Sequence, residues 1–324
     1  MVTELTRPAE RVRQSPPKRA RRRAGTAPLR ERLLATAMSL PVLLPFIVFS
    51  LVPIVYVVFL SFTSFNGFRP PEWIGLENYE DLMGDASWWQ SVINTLVLAV
   101  GIIAIQIPLA LLLAVVVSGR IRGAGAFRTV YFIPEVISLA VVGVIFYFLF
   151  RPNNGVINEL LQGIGILQSD VDWLGNGTTA MIALIMVGVW SGFGINTVFF
   201  IVGLQTIPGE LYESAEMDGA GPWQRFRLIT LPMLAPIMRV VMMLSIVFTM
   251  RSFDLVKTLT NGGPAGQTEV MFTYLFEYYF GTTRAPQYGY GSALAVVSSI
   301  IIAIISVAYL WLSRNRDANP KAGR

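Results

Sequence analysis

Between Ser91 and Ser118 the chain reads SVINTLVLAVGIIAIQIPLALLLAVVVS, a run without one charged residue. At about 1.5 Å of rise per residue, a helical run of this length crosses the ~30 Å hydrocarbon layer of a bilayer. In lipid the backbone must close its hydrogen bonds within the segment, so a single span has to be helical. Comparable runs recur along the chain. Six spans are expected, at about Leu33–Phe62, Ser91–Ser118, Val130–Arg151, Thr179–Gly203, Leu234–Leu259 and Tyr290–Ser313. Composition agrees: 14% of residues are charged, against about 25% in a soluble domain. Mean hydropathy is +0.58. The chain therefore reads as an all-α membrane protein. Pro41, Pro45 and Pro53 fall in the first span and predict kinks there.

Lys and Arg set the orientation of such a chain. If the N-terminus is cytoplasmic, 20 of the 25 basic residues fall on the cytoplasmic side. Only Arg69, Arg151 and Arg284 fall opposite, and Arg251 and Lys257 lie in or near the fifth span. Both termini are therefore expected inside. Residues 1–28 form a basic tail with eight Lys and Arg and two Glu, and the rest of the chain nets −1. That tail is too polar to fold alone and is suited to orienting the chain, with attraction to anionic lipid as a second role. The basic excess is thus no sign of nucleic-acid binding. Residues 29–316 form the transmembrane domain, and 317–324 a short cytoplasmic tail. On the opposite side, Trp73, Trp88 and Trp89 suit an interfacial belt. Two further outer loops are expected to carry a short amphipathic helix within 151–177 and an aromatic helix after Pro264 that lies at the surface.

The chain lacks both Cys and His, which removes disulfides, thiol nucleophiles, imidazole bases and the usual zinc sites. No cofactor motif is present. In particular there is no GxxxxGK[ST] loop to cradle phosphates, so the chain does not hydrolyse ATP itself. An intramembrane enzyme would need an Asp pair or a Ser–Lys pair within the spans, and neither pattern occurs.

Polarity returns in Glu210–Pro236, ELYESAEMDGAGPWQRFRLITLPMLAP, on the expected cytoplasmic side. Pro208 favours a helix start, and Gly219 in DGAG can take the left-handed conformation that ends one. Pro222 then starts a second short helix, which Pro232 is expected to end. Asp218 is suited to cap that second helix. Leu211, Ala215, Met217, Phe226 and Ile229 give the pair an apolar face, as a segment docking into a partner's groove requires.

These residues carry a resemblance. ESAEMDG, followed at fixed distance by ITLP, resembles the loop of ABC importer membrane subunits: Glu-Ala-Ala, three residues, Gly, nine residues, Ile, one residue, Leu-Pro. Glu213, Ala215, Gly219, Ile229, Leu231 and Pro232 match it, and Ser214 replaces an Ala. GLENYEDL, FRTVYFIPEVIS, WLGN and SFDLVKTLTNGGP resemble the sugar-importer branch related to the maltose permease. The resemblance covers about 33–313 and implies the type I importer permease fold in a bacterial or archaeal plasma membrane. It implies that Glu213, Ser214, Ala215, Asp218, Gly219 and Ala220 sit at the contact with a cytoplasmic ATPase. It also implies the partners: a second homologous permease, two ATP-binding subunits and an extracytoplasmic solute-binding protein.

Polar groups inside spans are expensive and mark solute paths. From the residues alone, the candidates are Asn94, Gln106, Glu135, Ser191, Asn196, Ser245, Thr249, Arg251, Ser252 and Asp254. Interhelical hydrogen bonding is the plainer role for Asn94, Gln106 and Asn196, and Arg251 and Asp254 are spaced to pair along one helix. Ser245, Thr249 and Ser252 recur at helical spacing and share a face suited to sugar hydroxyls. Resemblance to the maltose branch implies a solute site at Glu135, Gly188, Ser191, Gly192, Ile195, Ser245, Thr249 and Ser252, with room at the two glycines for solute to approach the backbone. Glu135 and Ile195 depart from the maltose pattern, so the solute is expected to be another sugar or polyhydroxylated compound. The competing expectation is a secondary transporter driven by an ion gradient through Glu135 or Asp254.

Overall fold

A computed structural model describes residues 29–118, 133–281 and 285–318. The tail 1–28, residues 319–324, Arg120, Arg122, Arg128 and Arg284, and the expected opening of the third span at 130–132 lie outside the described residues. The chain divides into two units, Met1–Ile54 and Val55–Arg324.

The described part of the first unit is helical. Helix α1 (Leu29–Phe46) contains Pro41 and Pro45 and passes through a π-turn, Ile47–Leu51, into α2 (Val52–Leu60). Val52 donates its N–H to the Ile47 carbonyl, five residues back, immediately before Pro53. Proline has no N–H and its ring crowds the carbonyl four residues earlier. Widening the turn just before it lets the helix continue past Pro53, and Pro41 and Pro45 lie within α1 without a break.

The second unit carries the rest. After α2, a short antiparallel ladder pairs β1 (Thr63–Ser64) with β2 (Glu72–Trp73), and α3 (Glu77–Gly84) leads into α4 (Ala86–Ser118). Then come α5 (Leu139–Leu149), α6 (Val156–Gly163) and α7 (Gly177–Gln205). Next are α8 (Gly209–Met217), α9 (Pro222–Arg225), a π-turn over Phe226–Thr230 and α10 (Leu231–Met250). Short helices α11 (Asp254–Leu259) and α12 (Met271–Phe280) precede the long α13 (Tyr288–Ala318).

Among the described residues, five helices are long and apolar enough to cross a membrane: Ala37–Leu60, Ala86–Ser118, Gly177–Gln205, Pro222–Met250 and Tyr288–Arg314. The expected third span is helical over 133–136, breaks at Ile137 and Ser138, and resumes as the 11-residue α5. Ser138 sits at φ −56°, ψ 134°, outside helical geometry. At ~1.5 Å per residue α5 alone reaches only about 17 Å.

The expected fifth span is displaced toward the N-terminus. Its helix begins at Pro222 and runs unbroken to Met250. Pro232 does not end it, because Leu231 donates to the Phe226 carbonyl in the same π-turn device seen before Pro53. The helix stops where Arg251 and Ser252 donate to Phe248 and Thr249, three residues back. Residues 254–259, assigned from sequence to the fifth span, form the separate helix α11. It packs on α5, where Thr258 fills the space a Cβ on Gly143 would need.

Three apolar clusters hold the unit, and α4 passes through all of them. Leu98 and Ile102 pack with Val142 of α5, Leu184 of α7 and Val256 of α11. Ile107 and Ala114 pack with Phe200 and Val241. At the other end, Trp88 and Val92 pack with Leu82, Met271, Tyr274 and Leu294. Trp88 is fully buried there, not in an interfacial belt, whereas Trp73 is exposed. Helix α12 likewise buries Met271, Tyr274 and Tyr278 in this cluster, so it is part of the core and not a surface helix. The faces turned away from these clusters are apolar too: Val100, Leu112, Ile304 and Val307 are each more than 60% exposed. Such large apolar exposure suits a lipid surround.

Polar side chains tie the loops to this frame. The Asp85 Oδ1 caps α4 by accepting from the Ser87 and Trp88 amides at 3.0 and 3.1 Å. Its Oδ2 accepts from the Tyr274 and Tyr290 hydroxyls at 2.5 and 2.8 Å. Burial raises the Asp85 carboxyl, but these hydrogen bonds outweigh it and hold the group below the usual carboxylate value. Asn94 donates to the Glu269 carbonyl at 2.9 Å, the structural role expected of it.

Candidate functional site

Where α4, α7 and α10 meet the broken segments at 134–139 and 251–255, they enclose a cavity of about 590 Å³. Every solute-site position named from the sequence lines it. Glu135 comes from the helical stretch before the break at Ser138. Gly188, Ser191, Gly192 and Ile195 come from α7, and Ser245, Thr249 and Ser252 from α10 and the turn after it. Arg251 and Asp254 also line it, because the helix breaks between them. That break also prevents the expected pairing, and no ion pair joins the two. Lys257 on α11 is held instead by Glu277 of α12, at 2.7 Å.

The two glycines also serve helix packing. A Cβ at Gly188 would collide with Ile102, and one at Gly192 with the Gln106 amide. Their smallness lets α4 seat against α7, the most extensive helix pair among the described residues, while both glycines also line the cavity.

The hydroxyls are mostly committed as donors. Ser191 donates to the Gly188 carbonyl at 3.1 Å and Thr249 to the Ser245 carbonyl at 2.7 Å. Asn196 donates to the Ser245 Oγ at 3.3 Å, bridging α7 and α10. Each hydroxyl oxygen keeps lone pairs for a guest. Gln106 departs from the interhelical role expected of it: it is 5% exposed and lines the cavity, and no side-chain hydrogen bond joins it to another helix among the described residues. Phe199, Phe248 and Leu139 complete the apolar wall. Nothing in the sequence separated these three from ordinary packing residues.

The second feature is the connector between α7 and α10. Helix α8 closes on a Schellman turn. Gly219, at φ +78°, donates to the Glu216 carbonyl, and Ala220 donates to Ala215. Asp218 terminates α8 and does not cap α9. The cap of α9 is Gly221, whose N–H is held by the Gln224 side chain at 2.8 Å. Arg225 pairs with Glu216 at 3.1 Å and Tyr212 meets Thr230 at 2.9 Å, which fixes the two arms. Glu213, Ser214, Asp218 and Gly219 are exposed, while Ala215, Ala220 and Ile229 are half-buried. Leu231 and Pro232, at the root of α10, are exposed. Apolar side chains stand out beside them: Met217 is 89% exposed, and Trp223 and Leu228 are each 70% exposed.

Residues 106–317 match the family described as the binding-protein-dependent transport system inner membrane component. The chain belongs to this family. It is a multi-pass cell-membrane protein and the translocation subunit of an ABC importer, not an enzyme. Among its relatives is the probable ABC transporter permease protein YurN of Bacillus subtilis, 36% identical over 82% of this chain and 90% of that one. The trehalose/maltose transport system permease protein MalF of Thermococcus litoralis is 30% identical over 89% and 96% of the two chains. The lactose transport system permease protein LacF of Rhizobium radiobacter is 31% identical over 83% and 90%. The fold matches a solved bacterial ABC transporter involved in import of the acidic polysaccharide alginate. That match has a TM-score of 0.76, covers 88% of this chain and 96% of that one, and is 24% identical.

Proposed function

We propose that this importer permease moves a sugar or related polyhydroxylated solute through the cavity bounded by Glu135, Ser191, Thr249 and Ser252. The carrying observation is convergence: polar residues from three separate chain segments line one cavity, at a point where two helices are interrupted. Broken helices inside a span are where transporters place solute sites, since the freed backbone groups can face a guest. Names of relatives carrying trehalose/maltose and lactose support the sugar class.

In this reading the broken segment around α5 completes a sixth span, and both termini lie in the cytoplasm. Residues 29–316 then form the transmembrane domain, with the tails 1–28 and 317–324 outside the bilayer. The connector lies on the cytoplasmic side, where the arms around Gly219 dock into an ATPase through Met217, Trp223 and the acidic Glu213. A second homologous permease, two ATPase chains and an extracytoplasmic binding protein complete the assembly. A structure of the alginate transporter in complex with its periplasmic protein supports the last of these partners. ATP-driven closure of the ATPases moves the connector and, through the continuous helix Pro222–Met250, the cavity wall at Ser245 and Thr249.

The test is reconstitution. Vesicles containing the full assembly should concentrate solute only with ATP inside and binding protein outside. Uptake that survives ATP depletion but collapses with a proton uncoupler would overturn the proposal in favour of a secondary transporter. Because the natural chain has no Cys, single cysteines at positions 27 and 320, labelled with an impermeant maleimide, test the position of both termini.

A further inference from the structure

The cavity's charged groups are unevenly divided between carboxylates and cations, and the imbalance bears on what it can hold. Two carboxylates, Glu135 and Asp254, line it, and neither makes an ion pair or a side-chain hydrogen bond among the described residues. Among the described lining residues Arg251 is the only basic one and makes no ion pair, so these residues carry a formal net charge of −1. The hydroxyls of Ser191 and Thr249 spend their protons on their own helix and present lone pairs. Donors without an acceptor remain at Arg251, Ser252, Ser245 and Gln106, and at the second N–H of the Asn196 amide. The intervening wall, including Ile102, Ile195 and Phe199, is apolar, and charge is weakly screened beside such a wall.

Resting on the sugar-importer reading above, we infer that this cavity discriminates by charge: it accepts neutral or amino-bearing polyhydroxylated solutes and rejects acidic ones. A neutral polyol supplies hydroxyl protons to Glu135, Asp254 and the lone pairs of Ser191 and Thr249. An ammonium group supplies them with charge assistance. A uronate brings a third carboxylate to a cavity lined by two carboxylates and one guanidinium. This separates the chain from its structural neighbour, which imports an acidic polysaccharide, although the two share a fold.

The test is equilibrium binding to the assembled importer in lipid nanodiscs without binding protein, which removes that protein's own selectivity. The probes share one skeleton: glucose, glucosamine and glucuronate, followed by saturation-transfer NMR. Glucosamine and glucose should bind at least about tenfold more tightly than glucuronate. The double variant Glu135→Gln, Asp254→Asn should lose that difference, and the charge-keeping Glu135→Asp should retain it. Elution of each variant as an intact assembly separates this outcome from misfolding. Glucuronate binding as tightly as glucose, or a difference unchanged in the double variant, overturns the charge rule alone, since ATP-dependent uptake is measured separately. Absence of binding by all three probes overturns both the rule and the sugar reading of the cavity.

Discussion

The connector offers the sharpest quantitative test, at Gly219. Its φ of +78° lies in the left-handed region, and a Cβ built there meets nothing within 4 Å. A substitution therefore carries a conformational penalty with no steric clash added. That penalty is about 1 kcal/mol for alanine, less for asparagine, and about 2–3 kcal/mol for a β-branched residue. At 1.4 kcal/mol per factor of ten, Gly219→Val should populate the native turn at least about 30-fold less than glycine does. The turn's two closing bonds, from Gly219 to Glu216 and Ala220 to Ala215, fix the angle between α8 and α9. Losing that angle should leave ATP hydrolysis running while solute movement falls. The assay is solute transported per ATP hydrolysed by the reconstituted assembly, for the series Gly, Asn, Ala, Val. Coupling should fall in that order, with the Val variant still assembling at normal yield. Equal coupling by Val and Gly, or equal loss in Asn and Val, would refute the conformational argument.

Further expectations concern stability. Asp85→Ala removes the cap of α4 and both tyrosine partners and should lower unfolding stability by about 2–4 kcal/mol, read by thermal unfolding of the purified protein; a change under ~1 kcal/mol would show the cluster to be incidental. Because folding lowers the Asp85 carboxyl, its contribution is complete above the unfolded value near 4 and fades as pH falls through the still lower folded value. The melting-temperature gap between the natural protein and Asp85→Asn should accordingly stay flat from about pH 5 to 8 and close only in stronger acid. Gly143→Val places methyl groups where Thr258 packs. It should cost about 1–3 kcal/mol and impair uptake by shifting α11 and Asp254, whereas Thr258→Ala in the same background should restore part of both.

Uncharged runs such as Ser91–Ser118 forced helices, because lipid offers the backbone no other partner, and these were legible residue by residue. The turn at Gly219 was legible too, since its neighbours demand a helix end and glycine alone enters the left-handed region freely. The polar positions of the cavity were named from composition and resemblance, but what each does there was not. Hydropathy cannot report a helix break inside an apolar run, so the stops at Ser138 and Met250 were invisible, and with them the separation of Arg251 from Asp254. Nor could it show that Gly188 and Gly192 sit against Ile102 and Gln106 as well as lining the cavity, since a small residue looks the same whether a guest or a neighbouring helix uses its space. Pro232 was misjudged for a related reason: a proline ends a helix only if the turn before it cannot widen, and that depends on the surrounding packing. The sequence by itself determined that this chain is helical and lives in a membrane, because those are local consequences of solvent and backbone. The shape of the cavity, the freedom of its carboxylates and the burial of Trp88 were decided by tertiary structure, because each depends on which distant side chain arrives first in the same space.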